Sequence, residues 1–146
     1  MKKYIPDFLP RKLMSDAAPA IFNGFSKVFP EILPGKCFFH LMKNFKDRKY
    51  DDKNLRDVFL SDLRSLSKSH SQAHFDVSVN LFLRKYQDYK DDSIKSAIEH
   101  LTNFWLTKSN RGWHSGLLPG SVTTNNGLEV TNRVFKRNFK GRKKYI

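Results

Sequence analysis

The chain has 146 residues, which fits one domain and excludes two of ordinary size, since domains commonly hold about 100 to 150 residues. Hydrophobic residues make up 39% and charged residues 28%, so the composition excludes wholesale disorder. The 27 Lys and Arg outnumber the 14 Asp and Glu, giving a net charge of +13. Such an excess favours a polyanionic partner, and nucleic acid is the first expectation.

Cysteine content and hydropathy indicate the cellular compartment in which the protein is expected. A single Cys excludes an intramolecular disulfide and a thiolate-rich zinc site, and favours either a reducing compartment or a protein indifferent to redox conditions. No run approaches the roughly 18 apolar residues of a membrane span, and no apolar signal segment follows Lys2 and Lys3. We therefore expect a soluble intracellular protein without a membrane partner.

Residues 11–45 predict a strand, a helix and a second strand. The run RKLMS at 11–15 is typical of a short strand, and a helix of about 17–29 follows it. The Pro-Gly pair at 34–35 indicates a turn, after which residues 36–40 predict a brief aromatic strand. We expect the two strands to lie side by side.

Residues 46–108 predict a helical insertion. Three stripes of apolar residues recur at helical spacing, and polar Ser, Lys and Asp stretches separate them. This pattern predicts three antiparallel helices joined by short turns, and packing explains their aromatic residues better than a cofactor does. The stripes are Leu55, Val58, Phe59, Leu63 and Leu66; Phe75, Val79, Phe82, Leu83 and Tyr86; and Ile94, Ala97, Ile98, Leu101 and Trp105.

The last part of the chain combines a loop, a helix and a basic tail. Three glycines and a proline make 109–123 an irregular loop, and a final helix is expected at about 125–138, so that loop and helix together span 109–139. Residues 140–146 form a basic, solvated tail. The predicted fold class is therefore α/β, predominantly helical, with two short strands in a single domain of 1–146.

Asp16 is the first candidate for chemistry. It stands where the first strand meets the following helix, the position at which ligands and metals gather in α/β sheets. The structural alternative is that Ser15 or Asp16 only caps that helix.

Glu129 is the second candidate, and it too has a structural alternative. With Asn126 as the N-cap, Glu129 takes the N3 position of a capping box. The functional hypothesis is that Glu129 belongs to a polar stripe on one helical face, and that this stripe binds a metal and the phosphates beside it. The stripe is Asn125, Glu129, Asn132 and Lys136.

Cys37 and His40 have Cys-x-x-His spacing. No second ligand pair stands at zinc-finger distance, and the other histidines are scattered along the chain, so we expect no structural zinc. A half-buried cysteine and a histidine at the exit of a strand are the ordinary explanation.

The ordered combination of these residues resembles the Mutator-like (MULE) transposase domain. In SDAAPAIFNGFSKVFPEILPGKCFFHLMKNF, Asp16 precedes Cys37 by 21 positions, and His40 follows. The block TTNNGLEVTNRVFKRNF looks like the closing motif of that family, Thr-Asn-Asn-x-x-Glu with Asn and Lys further along the helix. The resemblance covers most of residues 11–139.

The resemblance implies a ribonuclease H-like DDE core, interrupted by a helical insertion, that cuts and joins DNA with two Asp, one Glu and Mg²⁺ or Mn²⁺. Asp16 matches the second aspartate and Glu129 the glutamate, so both would be catalytic and would bind metal. Cys37 and His40 match the Cys-x-x-His motif, and of the two the resemblance implies that His40 approaches the DNA and joins Asp16 and Glu129 as a catalytic residue. The implied setting is the nucleus, with transposon ends as the DNA and a homo-oligomer as the intact protein.

The resemblance and the charge also imply a DNA-facing surface. The asparagines and the lysine of the stripe would order the glutamate helix and face phosphates, and the basic residues beyond them would neutralise further phosphates. These residues are Asn125, Asn126, Asn132, Arg133, Lys136, Arg137, Lys140, Arg142, Lys143 and Lys144.

One departure from the family pattern limits the expected activity. The first aspartate of the family lies on a strand well upstream of the second, and the short segment from Asp7 to Asp16 cannot hold a strand, its hairpin and a helix. We therefore expect the C-terminal part of a transposase domain, inactive alone, as a fragment, a decayed copy or a retained remnant. The alternatives are a non-catalytic, transposon-derived nucleic-acid-binding protein and a basic helical interaction protein.

Overall fold

A computed structural model describes residues 8–16, 19–124, 127, 130–131 and 133–134. Helices dominate these residues, with two short strands near the start. The elements are β1 (Lys12–Ser15), α1 (Pro19–Ser26), β2 (Leu33–Lys36), α2 (Phe38–Lys46), α3 (Lys53–Ser67), α4 (Gln72–Tyr86) and α5 (Asp92–His100), followed by a π-helical turn (Leu101–Trp105) and a 3₁₀ turn (Ser115–Leu117).

The two strands form a parallel pair. Lys12 is opposite Leu33 and Ser15 is opposite Lys36, and α1 makes the crossover between the strands. This β-α-β unit confirms the coarse α/β class and the expectation of two short strands side by side.

The predicted bounds of the second strand, 36–40, are wrong. The strand is Leu33–Lys36, and α2 begins at Phe38. Pro34 has no backbone N–H to donate, but none is needed at its position. The N–H groups that donate to β1 belong to the odd-numbered residues of this segment, as in the 2.9 Å bond from Leu33 to the Arg11 carbonyl. A Cβ at Gly35 would press on the long side chain of Lys12, which would have to move.

The missed helix α2 has an apolar face that packs on the insertion. Leu41, Met42 and Phe45 are buried at helical spacing, and the ring of Phe45 lies 5.7 Å from that of Phe59 on α3. A short run of Phe and His suits either a strand or a buried helix, and the contact with α3 decides for the helix.

The three helices predicted for the insertion are confirmed. The ring of Phe59 contacts the rings of Phe82 and Tyr86 at centroid distances of 5.4 and 5.2 Å, whereas Leu66 and His74 line one cleft near the other end. The helices α3 and α4 are therefore antiparallel, and both contribute to the main hydrophobic core.

Capping side chains set where these helices begin. Asp52 accepts hydrogen bonds from the backbone N–H groups of α3, Ser71 caps α4, and Asp91 caps α5. Each cap satisfies N–H groups that have no partner inside the helix.

The predicted irregular loop at 109–123 is confirmed, and it returns to the strand pair. The backbone N–H of Lys36 donates to the carbonyl of Gly112 at 2.9 Å. Trp113 is fully buried and donates from its indole N–H to the carbonyl of Trp105 at 3.0 Å. The loop thereby joins the insertion to the β-α-β unit.

Most of the predicted last helix, 125–138, and all of the tail, 140–146, lie outside the described residues. The described ones among them are helical, and the Thr131 hydroxyl donates to the carbonyl of Gly127 at 3.0 Å. Within the part of the chain that the structure describes, no helix has the length and apolarity needed to cross a membrane.

Candidate active site at the end of the strand pair

The parallel strands bring Asp16 and Cys37 to one edge. Both strands run in the same direction, so Asp16 directly follows β1 and Cys37 directly follows β2. The backbone N–H of Cys37 donates to the carbonyl of Ser15 at 2.9 Å. Ser15 is buried and Asp16 is exposed, so the Asp16 carboxylate stands at the surface of this edge.

Cys37 also marks the start of α2. Its backbone takes the extended N-cap conformation without a side-chain cap, and the residue is 1% exposed, so the thiol is part of the packing. His40 lies in the first turn of α2, half-buried, with its ring 5.8 Å from that of Phe39 in an edge-on contact. The Cys-x-x-His spacing therefore spans a helix start.

A buried lysine beside Asp16 was missed by the sequence analysis. Lys36 ends β2 and is only 2% exposed. Burial lowers the pKa of its ammonium, and the nearby charge of Asp16 opposes that shift. A lysine at a strand end gives no sequence signal for burial, and Gly112, whose carbonyl accepts the Lys36 backbone N–H, lies far along the chain.

The loop after the insertion also reaches this edge. The Lys12 ammonium donates to the Ser121 hydroxyl and to the Val122 carbonyl, both at 2.9 Å, and burial lowers the pKa of Lys12. The backbone N–H of Phe38 donates to the carbonyl of Thr123 at 3.1 Å. The chain therefore enters its last segment beside the start of α2.

A groove connects β1 to that last segment. Met14 and Gly127 both line it, together with several Ser and Thr residues, and its volume is about 730 Å³. Met14 is two positions before Asp16, and Gly127 is two positions before Glu129. The groove therefore joins β1, which leads to Asp16, to the described residue Gly127 of the last segment.

Glu129 and most of the DNA-facing candidates lie outside the described residues, and Arg133, the exception, is exposed. Those outside are Asn125, Asn126, Glu129, Asn132, Lys136, Arg137, Lys140, Arg142, Lys143 and Lys144.

The described residues supply an incomplete donor set for a divalent metal. Among them, no three His, Cys, Asp or Glu side chains are grouped closely enough to hold an ion. A two-metal site needs several bridging oxygens, and of the two matched carboxylates only Asp16 lies in this part of the chain.

A second polar cluster, which the sequence analysis did not predict, holds the loop on α4. His114 is fully buried, stacks on Phe75 at 4.1 Å and lies 3.3 Å from the Gln72 side-chain oxygen through Nε2. Burial lowers the pKa of His114, and Arg111 adds to this shift. Arg111 forms an ion pair with Asp76 and lies over the ring of Phe75.

The chain matches no protein-family model, no curated protein and no solved structure. The function of this chain is therefore inferred from its own residues and their geometry.

Proposed function

We propose that this chain is the C-terminal part of a Mutator-like DNA transposase domain with a ribonuclease H-like core, acting in the nucleus on transposon ends. The observation that carries the proposal is the β1-α1-β2 unit with Asp16 at the carboxyl end of β1 and Cys37 at that of β2. Carboxyl ends of parallel strands are where α/β folds place catalytic groups, and these residues match the family motif.

The groove between Met14 and Gly127 supports the second half of the proposal. The insertion and the loop lead the chain back over more than one hundred positions to the strand from which Asp16 extends. This return is what a DDE nuclease with a helical insertion requires.

The outer edge of β1 offers a place for the missing first aspartate. Because Arg11 and Ser15 offer their carbonyls to β2, the backbone groups of Lys12 and Met14 point away from it in a parallel ladder. A further strand, supplied by an upstream segment of the intact protein, would pair there and bring its own aspartate beside Asp16.

The metal chemistry belongs to the intact protein. Asp16 and Glu129, with the first aspartate, would hold two Mg²⁺ or Mn²⁺ ions, which supply an activated water or 3′-hydroxyl and stabilise the leaving oxygen. The carboxylates of this chain would fix where the scissile phosphate lies. In the intact protein, a homo-oligomer would pair two transposon ends.

A fusion experiment tests the proposed function. A Mutator-like segment carrying the first aspartate and its strands is joined ahead of Met1, and Mn²⁺-dependent nicking of transposon-end DNA is measured. We expect nicking by the fusion and none by the 146-residue chain alone. Asp16→Asn and Glu129→Gln should each abolish it, whereas Asp57→Asn, on an exposed position of α3, should leave it intact.

Two results would contradict the proposal. The first is nicking that survives both Asp16→Asn and Glu129→Gln. The second is a folded fusion that binds transposon-end DNA and does not nick it with either metal.

The second candidate function is a transposon-derived protein that binds nucleic acid without cutting it. The net charge of +13 favours it independently of any catalytic residue. The two candidates separate in the fusion experiment, because a binding protein gives salt-sensitive DNA binding that Asp16→Asn leaves unchanged and gives no nicking in any fusion.

A further inference from the structure

The outward face of α2 combines an aromatic ring with two cations. Phe39, Lys43 and Lys46 follow one another at i, i+4 and i+7 and are exposed, while the opposite face packs on α3. Phe39 is 43% exposed, more than any other phenylalanine among the described residues. An exposed ring on the same face as two lysines, beside the strand edge, suits a ligand with flat, apolar groups and negative charge.

The outward face of α2 is net positive, with two lysines against one carboxylate, that of the C-cap residue Asp47. The helix itself contains no Asp or Glu. Lys43 and Lys46 form no ion pair with a described residue, whereas Lys85 and Lys95 are paired with Asp62 and Asp92. The two lysines are therefore available to phosphates.

The position of α2 determines the direction in which a strand bound to its outward face would run. Cys37, the N-cap of α2, lies beside Ser15 and hence beside the edge that carries Asp16. Phe39 lies in its first turn, and the lysines lie about 6 and 10 Å further along the axis at 1.5 Å per residue. A strand bound along α2 would run towards the Asp16 edge.

We propose that the outward face of α2 binds an unpaired segment of a DNA strand, with a base stacked on Phe39 and successive phosphates at Lys43 and Lys46. Stacking platforms beside a basic track are how proteins hold single strands, because every base offers a π-face and every nucleotide a charge. The proposal rests on the proposed function, for which it names the path by which the DNA strand reaches Asp16.

The test measures binding of the full 146-residue chain to labelled oligothymidine of about 16 nucleotides by fluorescence anisotropy at several salt concentrations. Phe39→Ala should weaken binding about tenfold, in line with the loss of one stacked base, and Phe39→Trp should restore it. Phe104→Ala, which removes another exposed ring, should have little effect.

The charge contribution is tested separately. In Lys43→Gln/Lys46→Gln, the slope of log affinity against log salt should become shallower by about 1.4, since each phosphate contact of a single strand contributes about 0.7. Lys68→Gln/Lys90→Gln removes the same charge from exposed positions elsewhere and should leave the slope nearly unchanged.

The outcomes separate this inference from the proposed function. Unchanged affinity in Phe39→Ala, an equal slope change in both lysine pairs, or tighter binding of oligouridine RNA than of oligothymidine would overturn the α2 surface. If binding depends on Phe39 and the fusion does not nick DNA, the DNA-binding role of the α2 face stands and the proposed transposase function is contradicted. Nicking that depends on Asp16 but not on Phe39 would do the reverse.

Discussion

Gly112 and Pro34 touch through their backbones, although 78 positions separate them in the chain. A Cβ at Gly112 would overlap the carbonyl of Pro34, and the carbonyl of Gly112 accepts the backbone N–H of Lys36. The loop that follows the insertion thereby lies along β2 on the side opposite β1.

Gly112→Ala tests this contact. The added methyl group must push the loop from β2, and we expect a loss of about 1 to 3 kcal/mol in the free energy of unfolding, as for other overpacked sites. Chemical denaturation measures it. Gly24→Ala is the control, because Gly24 lies in α1 with open space around it, and there alanine should stabilise by about 0.5 to 1 kcal/mol. Equal behaviour of the two variants would contradict the loop contact.

Tyr86 and Asp62 provide a second test, within the insertion. The Tyr86 hydroxyl donates to Asp62 at 2.7 Å from a ring that is almost fully buried, and burial together with this bond raises the pKa of Tyr86. Tyr86→Phe should cost about 1.5 to 2 kcal/mol of unfolding free energy, because the lost bond has a charged acceptor.

Tyr50→Phe is the matched comparison for Tyr86. The Tyr50 hydroxyl donates to the neutral carbonyl of Phe45 at 3.0 Å, so its loss should cost about 0.5 to 1 kcal/mol. Thermal or urea unfolding of both variants gives the ranking. A larger loss for Tyr50→Phe would contradict the prediction that the carboxylate acceptor makes the stronger bond.

The buried histidine of the loop predicts a pH dependence of stability. Burial lowers the pKa of His114 in the folded protein, with Arg111 adding to the effect. Between the lowered pKa and the usual value of about 6.5, the unfolded state binds more protons, so stability falls as pH falls. Denaturation midpoints should therefore decrease from about pH 7 to pH 5.

Substitution separates His114 from the other titrating groups. His114→Gln cannot take up a proton, so its midpoint should change less over the same pH range, whatever its absolute stability. His100, whose pKa burial also lowers, should retain its share of the slope. His74→Gln, at an exposed position, is the matched control for the loss of one imidazole. A His114→Gln curve parallel to the wild type would contradict the assignment.

The basic end of the chain is expected to bind the DNA backbone. Deleting residues 137–146 removes five basic residues and no acidic one, so the net charge falls from +13 to +8. Affinity for duplex DNA should fall, and the slope of log affinity against log salt should become shallower, because fewer counterions are released. Anisotropy titrations at several salt concentrations measure both.

A charge-matched variant controls for net charge alone. It carries five Gln substitutions at exposed basic positions of the helices and turns, and it should keep most of the original slope. If it weakens binding as much as the deletion, the tail is not the contact surface. The substituted positions are Lys53, Arg64, Lys68, Arg84 and Lys90.

Local patterns in the sequence were enough to predict the helices of the insertion and the strand ahead of Asp16. The apolar stripe around Phe59 and Phe82 has the helical period, and Ser71 and Asp91 are cap residues next to it, so every signal lies within a few positions of what it predicts. The place of Asp16 at a strand end was likewise predictable, because the helix start follows at once.

Only the tertiary structure determines the bounds of β2, the presence of α2 and the burial of Lys36. Pro34 and Gly35 by themselves indicate a turn. They lie in a strand because the carbonyls of Arg11 and Ser15 accept hydrogen bonds from this segment on one side. On the other side, the backbone of Gly112 packs against Pro34. These partners come from distant parts of the chain, and a hydrogen bond or a clash across such a separation leaves no periodic trace in the sequence. The surroundings of Asp16, including the buried ammonium of Lys36, follow from that same long-range packing.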